Sequence, residues 1–234
     1  MNLRRRDGRY LRIGHRGAAG LGAANTLGTI DAALAFGLDG IEIDVVAIGG
    51  DLHVAHSLRE RTGETPTLEA ALARFAGSGP DVFVHLDLKV AGEEERVVRA
   101  LEEHGLAEQA IVSSYSATTL RAVRRAAPSL PTGLAYPYDR TGLAERLLPE
   151  RLTRAGLATA RRALPRRLGR MVRAANVQVA MLHHLVVTPA VVARCRALGV
   201  PVWAWTVNDG QALARVDGLG VDAVITDVPA IFGS

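Results

Sequence analysis

The sequence predicts an α/β protein built as a closed (β/α)8, or TIM, barrel. Short apolar, β-rich runs alternate with amphipathic stretches along the chain, the pattern of parallel strands joined by crossover helices. Eight such runs fit within 234 residues, the length of one barrel with little room for a second domain. Residues 1–234 are therefore expected to form a single unit. Apolar residues make up 48% of the chain, enough to fill a large core.

The candidate strands fall at 11–14, 40–45, 82–88, 110–113, 132–136, 177–182, 201–207 and 222–226, with amphipathic stretches at 26–37, 67–76, 93–104, 117–127 and 188–198. In GEEERVVRALEEHG (92–105), acidic residues open the helix, apolar residues recur at i, i+3 and i+4, and Gly105 ends it. Two segments break the rhythm. VVAIGGDLHVAH (45–56) is too short for a helix and has Gly49-Gly50 at its centre, so it reads as a small β-hairpin inserted after the second strand. Segment 139–175 carries ten arginines against three acidic residues. It reads as a long Arg-rich helical stretch before the sixth strand, with breaks at Pro149 and Pro165.

Composition restricts the setting. The single cysteine, Cys195, excludes an intramolecular disulfide and fits a reducing compartment. The N-terminus is charged, without the apolar core of a secretory signal. No apolar run approaches the ~20 residues of a membrane helix. A cytoplasmic protein is expected, with peripheral membrane contact a possible role for the guanidinium groups of 139–175; the bland alternative is a solvated basic face. No aromatic residues interleave those arginines, so nucleic acid is not an expected partner. The oligomeric state is not legible. The net charge is +4 and every basic residue but Lys89 is arginine, which draws attention to position 89.

Chemistry gathers on a few strands. In IEID (41–44), alternation puts Glu42 and Asp44 on one face and Ile41 and Ile43 on the other. Two neighbouring inner carboxylates need positive charge, either a hard cation with oxygen ligands or a buried arginine. In HLDLK (85–89), the same parity aligns His85, Asp87 and Lys89, with His85 deeper and better suited to a core or supporting role than to that of a ligand. Lys89, a compact point charge, suits a phosphate oxygen or Asp87. His15 follows the first strand and His56 closes the hairpin; both are fitted to proton transfer near neutral pH if they reach the same end of the barrel. Either His183 or His184, at the end of the sixth strand, is placed to reach that end as well.

These residues carry a resemblance. HRG (15–17), Asn25-Thr26, GLDGIEIDV (37–45), His56, PTLEAAL (66–72), LDLK (86–89), SSY (113–115), WTVN (205–208) and GVDAVITDVP (220–229) together resemble the glycerophosphodiester phosphodiesterase family, in its order and over nearly the whole chain. The resemblance implies a TIM barrel that hydrolyses glycerophosphodiesters to glycerol 3-phosphate and an alcohol, using Mg2+ or Ca2+. It implies Glu42, Asp44 and Asp87 as metal ligands, His15 and His56 as the acid/base pair, Arg16 and Lys89 as phosphate-neutralising groups, and Trp205 as a pocket wall.

The chain departs from the family at three points. Ala23-Ala24-Asn25-Thr26 replaces Pro-Glu-Asn-Thr, Ser57 replaces the aspartate after the hairpin histidine, and Asp87 replaces a glutamate, as in the related sphingomyelinase D-like barrels. These departures leave two further readings. One is a phosphodiesterase acting on lysophospholipids or related lipid diesters at a membrane surface. The other is a barrel that binds an anionic ligand without turnover.

Overall fold

A computed structural model describes residues 1–60, 62–79, 81–137 and 150–233. Eight parallel strands close a barrel: β1 (Leu11–Gly14), β2 (Gly40–Ile48), β4 (Phe83–Leu88), β5 (Ala110–Ser114), β6 (Thr132–Tyr136), β7 (Val179–His183), β8 (Val202–Trp205) and β9 (Ala223–Thr226). Each pairs with the next, and β1 pairs with both β2 and β9, which shuts the ring. The predicted strands thus agree in number and order. β3 (Asp51–Val54) lies antiparallel to β2, with Ile48 opposite Asp51 and Val45 opposite Val54. Gly49 and Gly50 both have positive φ (61° and 95°), as a tight two-residue hairpin turn requires.

Helices α1 (Leu27–Phe36), α2 (Leu68–Ala76), α3 (Glu94–Glu103), α4 (Ala117–Ala126), α5 (Glu150–Ala175), α6 (Pro189–Ala197) and α7 (Gly210–Gly218) surround the barrel. Thr26, Thr67, Ser116, Thr188 and Asp209 cap their helices by accepting a backbone N–H three residues on. Helix α5 corrects one expectation. It runs unbroken through Pro165, although proline removes a helix hydrogen bond at a cost of ~3 kcal/mol. Leu164, Leu168, Val172 and Ala175 are buried against the barrel at helical spacing. Burying a large apolar side chain contributes ~1.5–3 kcal/mol, so the inward stripe outweighs the local penalty. Pro149 lies outside the described residues. No helix among the described residues is long and apolar enough to cross a membrane.

Inside the ring, side chains rise in layers from an apolar floor to a polar mouth. Leu11, Ile13, Phe83, Ile111, Val179, Met181, Trp203, Ala223 and Ile225 form one apolar cluster. The same parity continues upward into Glu42 and Asp44 on β2 and His85 and Asp87 on β4; Glu42 is in register with His85 and Asp44 with Asp87. Two glycines make the floor possible. A Cβ on Gly40 would lie 2.3 Å from the Phe83 ring, and one on Gly133 2.3 Å from Met181. Large and small residues therefore interlock across the interior.

Gly40→Ala is expected to destabilise the fold by about 1–3 kcal/mol through overpacking, because the Phe83 ring it would meet is already packed against Trp203 at 5.7 Å between centroids. Adding Phe83→Leu should recover part of that loss in a denaturant titration. A double variant no more stable than the sum of the singles predicts would reject the steric account.

Candidate active site

The C-terminal ends of the strands gather the predicted residues. Glu42, Asp44 and Asp87 are all buried, and each offers an oxygen within 4.8 Å of the others. Such crowding raises the free energy of every charge unless cations compensate. Lys89 supplies one: its ammonium lies 2.9 Å from Asp44 Oδ1 and also bonds Asp87. Arg16 supplies a second, with Nε 3.3 Å from Asp44 Oδ2. Neutral donors complete the shell. Asn25 donates to Asp44 at 2.8 Å and accepts from its backbone N–H at 3.2 Å; Ser113 donates to Asp87 at 2.6 Å.

The three carboxylates consequently differ. Burial pushes Asp44 and Asp87 upward, but Lys89 and hydrogen bonds more than offset it, and both stay below the usual aspartate range. Glu42 has weaker compensation. Burial, then the neighbouring Asp44, raise it to about 7. Two cations thus face three carboxylates, and Glu42 bears the deficit. The oxygen spacing matches a common hard cation, since an ion about 2.4 Å from each ligand spans oxygens up to about 4.8 Å apart. The donor set and the unmet negative charge both fit a divalent metal.

The loop after β1 builds the other side. Arg16, Gly17 and Ala18 all have positive φ (53°, 76° and 59°), so the chain coils back over β2. Arg16 N–H donates to the Glu42 carboxylate at 2.7 Å, and Gly17 N–H donates to the Glu42 carbonyl at 2.9 Å. A side chain at Gly17 would meet Thr29 Oγ1 at 2.8 Å, so the glycine serves both the backbone conformation and the close packing.

His15 Nδ1 lies 2.7 Å from Asp227 Oδ1, and Nε2 lies 3.9 Å from Glu42 Oε2. The ring therefore bridges Asp227 and the acidic cluster. Burial lowers its pKa, but the Asp227 hydrogen bond and the charges of Glu42 and Asp227 prevail, and the net shift is upward. Asp227 is itself clamped: Asn208 Nδ2 donates to it at 2.7 Å, while its backbone N–H donates to Asn208 Oδ1 at 2.9 Å. Asp227 and Asn208 had no assigned role in the sequence reading. Their signal was present in two forms: Asp227 continues the inward parity of Ala223 and Ile225, and both residues sit in strand-end motifs.

His56 arrives from the hairpin rather than the barrel. Its Nδ1 is 2.9 Å from Arg16 Nη2 and 3.3 Å from Asp44 Oδ1. A guanidinium can only donate and a carboxylate can only accept, so Nδ1 serves Arg16 in the tautomer that leaves it bare and Asp44 in the tautomer that protonates it. Trp205 stands at the end of β8, edge-on to His183 (5.1 Å) and to Tyr115 (6.3 Å). His183 therefore reaches the mouth. Lys89 is engaged with Asp44, Asp87 and the Tyr115 ring face, 5.3 Å from its centroid. His85 lies beneath, donating from Nε2 to Ser113 Oγ at 2.8 Å, a direction fixed because the Ser113 hydroxyl proton goes to Asp87. It supports Asp87 through Ser113, in keeping with its deeper position.

A TIM barrel with an acidic cluster and two histidines at its C-terminal mouth has the architecture of a hydrolase, and the class here is phosphoric diester hydrolase. The chain belongs to the glycerophosphoryl diester phosphodiesterase family, whose model matches residues 66–231. It is 28% identical to a glycerophosphodiester phosphodiesterase from Caldanaerobacter subterraneus subsp. tengcongensis, over 93% of each chain. Among solved structures, a Silicibacter pomeroyi protein named for the same activity superposes with a TM-score of 0.79 at 24% identity, covering 98% of this chain and 93% of its own. An Oleispira antarctica phosphodiesterase, solved with its product sn-glycerol-3-phosphate, superposes with a TM-score of 0.73 at 21% identity, covering 96% and 97%.

Burial holds the His85 pKa down at about 4 against an ordinary value of 6.5. Below pH 6.5 the unfolded chain takes up a proton that the folded chain refuses, so this residue's contribution to stability falls as pH drops from 6.5 toward 4. At pH ~5 the loss is roughly 2 kcal/mol. In metal-free protein, His85→Gln should remove that component of the pH-dependence of unfolding free energy. The difference between wild type and variant isolates it from Glu42, whose raised pKa acts in the opposite sense. A difference independent of pH from 6.5 to 4 would contradict the assignment.

Proposed function

We propose that this protein hydrolyses glycerophosphodiesters to glycerol 3-phosphate and an alcohol, with the whole chain, 1–234, serving as one catalytic barrel. The observation that carries the reading is the Asp227–His15 pair directed at the Glu42, Asp44 and Asp87 cluster. The activity named for the Caldanaerobacter relative and the product bound in the Oleispira structure support the substrate class.

Glu42, Asp44 and Asp87 hold a divalent cation, Mg2+ or Ca2+. When bound, it supplies a Lewis acid for the phosphoryl oxygens and offsets charge that develops on them. The chain's own groups supply the remainder. Arg16 and Lys89 add positive charge beside the phosphate. His15 accepts the proton of the attacking oxygen, from water or from the glycerol 2-hydroxyl; in the latter case a water later opens the cyclic phosphate. Asp227 fixes the His15 tautomer and stabilises the imidazolium that forms. His56 gives a proton to the alcohol oxygen as its bond to phosphorus breaks. Trp205, between Tyr115 and His183, walls the pocket on the side of the glycerol or the leaving group.

Release of glycerol 3-phosphate from glycerophosphocholine and glycerophosphoethanolamine, with Mg2+, Ca2+ or chelator, tests this reading. Chelation should abolish turnover. Glu42→Gln and His15→Ala should each lower it below detection, and wild-type rates in both would reject the site.

Asp227→Asn should lower kcat by roughly two to four orders of magnitude with KM little changed, because Asp227 orients His15 without reaching substrate. A change confined to KM would instead make Asp227 a binding residue.

A further inference from the structure

Between Glu150 and Asp209 the chain contains no aspartate or glutamate but has ten arginines. This stretch builds α5, β7, α6 and β8, so one sector of the barrel is rich in positive charge. Among the described residues, ion pairs involving arginine use Arg5, Arg9, Arg12, Arg16, Arg74 and Arg96, none from this sector. Arg161, Arg162 and Arg166 of α5 and Arg194 of α6 instead line, with Pro165 and Ala190, an open groove of about 730 Å³. Guanidinium groups lining one groove repel each other, and an anion between them relieves that cost.

The groove adjoins the mouth. Arg161 Nε donates to the Leu185 carbonyl at 2.6 Å, and Leu185 lies in the short turn His184–Val186 directly after β7. The same rim exposes apolar side chains. Leu21, Leu58, Leu185 and Val228 are 37–64% exposed, and they lie in the segments leaving β1, β3, β7 and β9. Only Met1 and Phe36 join them as exposed large apolar residues among those described. An apolar rim around a mouth, flanked by guanidinium groups, has the chemistry of a lipid–water interface. The groove lining offers no aromatic ring for stacking a base.

We propose that the mouth-side rim of Leu21, Leu58, Leu185 and Val228, with the groove of Arg161, Arg162, Arg166 and Arg194 beside it, docks this protein on an anionic phospholipid surface. The apolar side chains enter the headgroup region while the guanidinium groups bind headgroup phosphates. The mouth then faces the interface, and diesters released from or embedded in the lipid enter without crossing bulk water. This docking is independent of the hydrolytic reading, because its readout is partitioning rather than turnover.

Flotation of the full-length protein with vesicles of phosphatidylcholine alone, or of phosphatidylcholine mixed with phosphatidylglycerol, tests the inference. Binding is expected to the mixed vesicles only, and to weaken as salt rises. Each guanidinium near an anionic leaflet strengthens partitioning roughly fivefold. The triple variant Arg162→Gln, Arg166→Gln, Arg194→Gln, which leaves the Arg161–Leu185 bond in place, should therefore bind about a hundredfold more weakly. Leu58→Ser with Leu185→Ser should also weaken binding, and both variants should cleave a soluble diester at the wild-type rate. If the triple variant misfolds by circular dichroism, the exposed pair Arg162→Gln, Arg166→Gln should still show about a 25-fold loss. Absence of vesicle binding, equal binding to neutral vesicles, unchanged binding in the arginine variants or in the leucine variant, or stoichiometric displacement by inorganic phosphate would each overturn the proposal.

Discussion

Mutual repulsion among Glu42, Asp44 and Asp87 governs how the mouth is built. Three buried carboxylates within 4.8 Å of one another are tolerable only if the surrounding chain supplies charge and donors. Lys89 follows directly on the strand that carries Asp87. The β1 loop takes three successive left-handed residues to aim the Arg16 N–H at Glu42, and Asn25, itself at φ 58°, reaches Asp44 from the following turn. Ser113 and His85 secure Asp87 from below. Backbone conformations that look costly in isolation are accounted for by this common demand for positive electrostatic potential.

The singular lysine gains meaning in the same context. An arginine fork at position 89 would have to fit its plane between two aspartates on adjacent strands, whereas a compact ammonium serves both at once. In a chain that otherwise uses arginine throughout, the one lysine stands where a point charge is required.

Much of this was legible before any coordinates. Period-two alternation fixed which side chains of IEID and HLDLK point inward, because a strand in a closed barrel has one interior face. Strand count and spacing likewise sufficed for the barrel, and Gly49-Gly50 for the hairpin. What escaped was of a different physical kind. Asn208 and Asn25 act from turns beyond the strand ends, where no period dictates direction, and Asp227, though its parity points inward, takes its role only from a partner distant in sequence. Pro165 misled for a related reason: its penalty is local and visible, while the buried stripe that overrides it depends on packing against the barrel. The engagement of Lys89 with two aspartates rather than one depends on the β2–β4 register, which parity alone does not set.

The hairpin of β2 and β3 separates two tasks that the barrel itself combines. His15 is rooted in the closed ring, and changes around it touch the hydrogen bonds that seal β1 to β9. His56 hangs from a ribbon outside that ring, attached along one edge of β2. Its turn, Gly49-Gly50, has open space around it and is restricted only by the positive φ of its two glycines, so changes that keep a turn there leave closure untouched. One wall of the mouth is therefore modular: descendants of this chain can alter how a substrate is covered, and which ones are admitted, while inheriting the closed barrel and the acidic cluster intact.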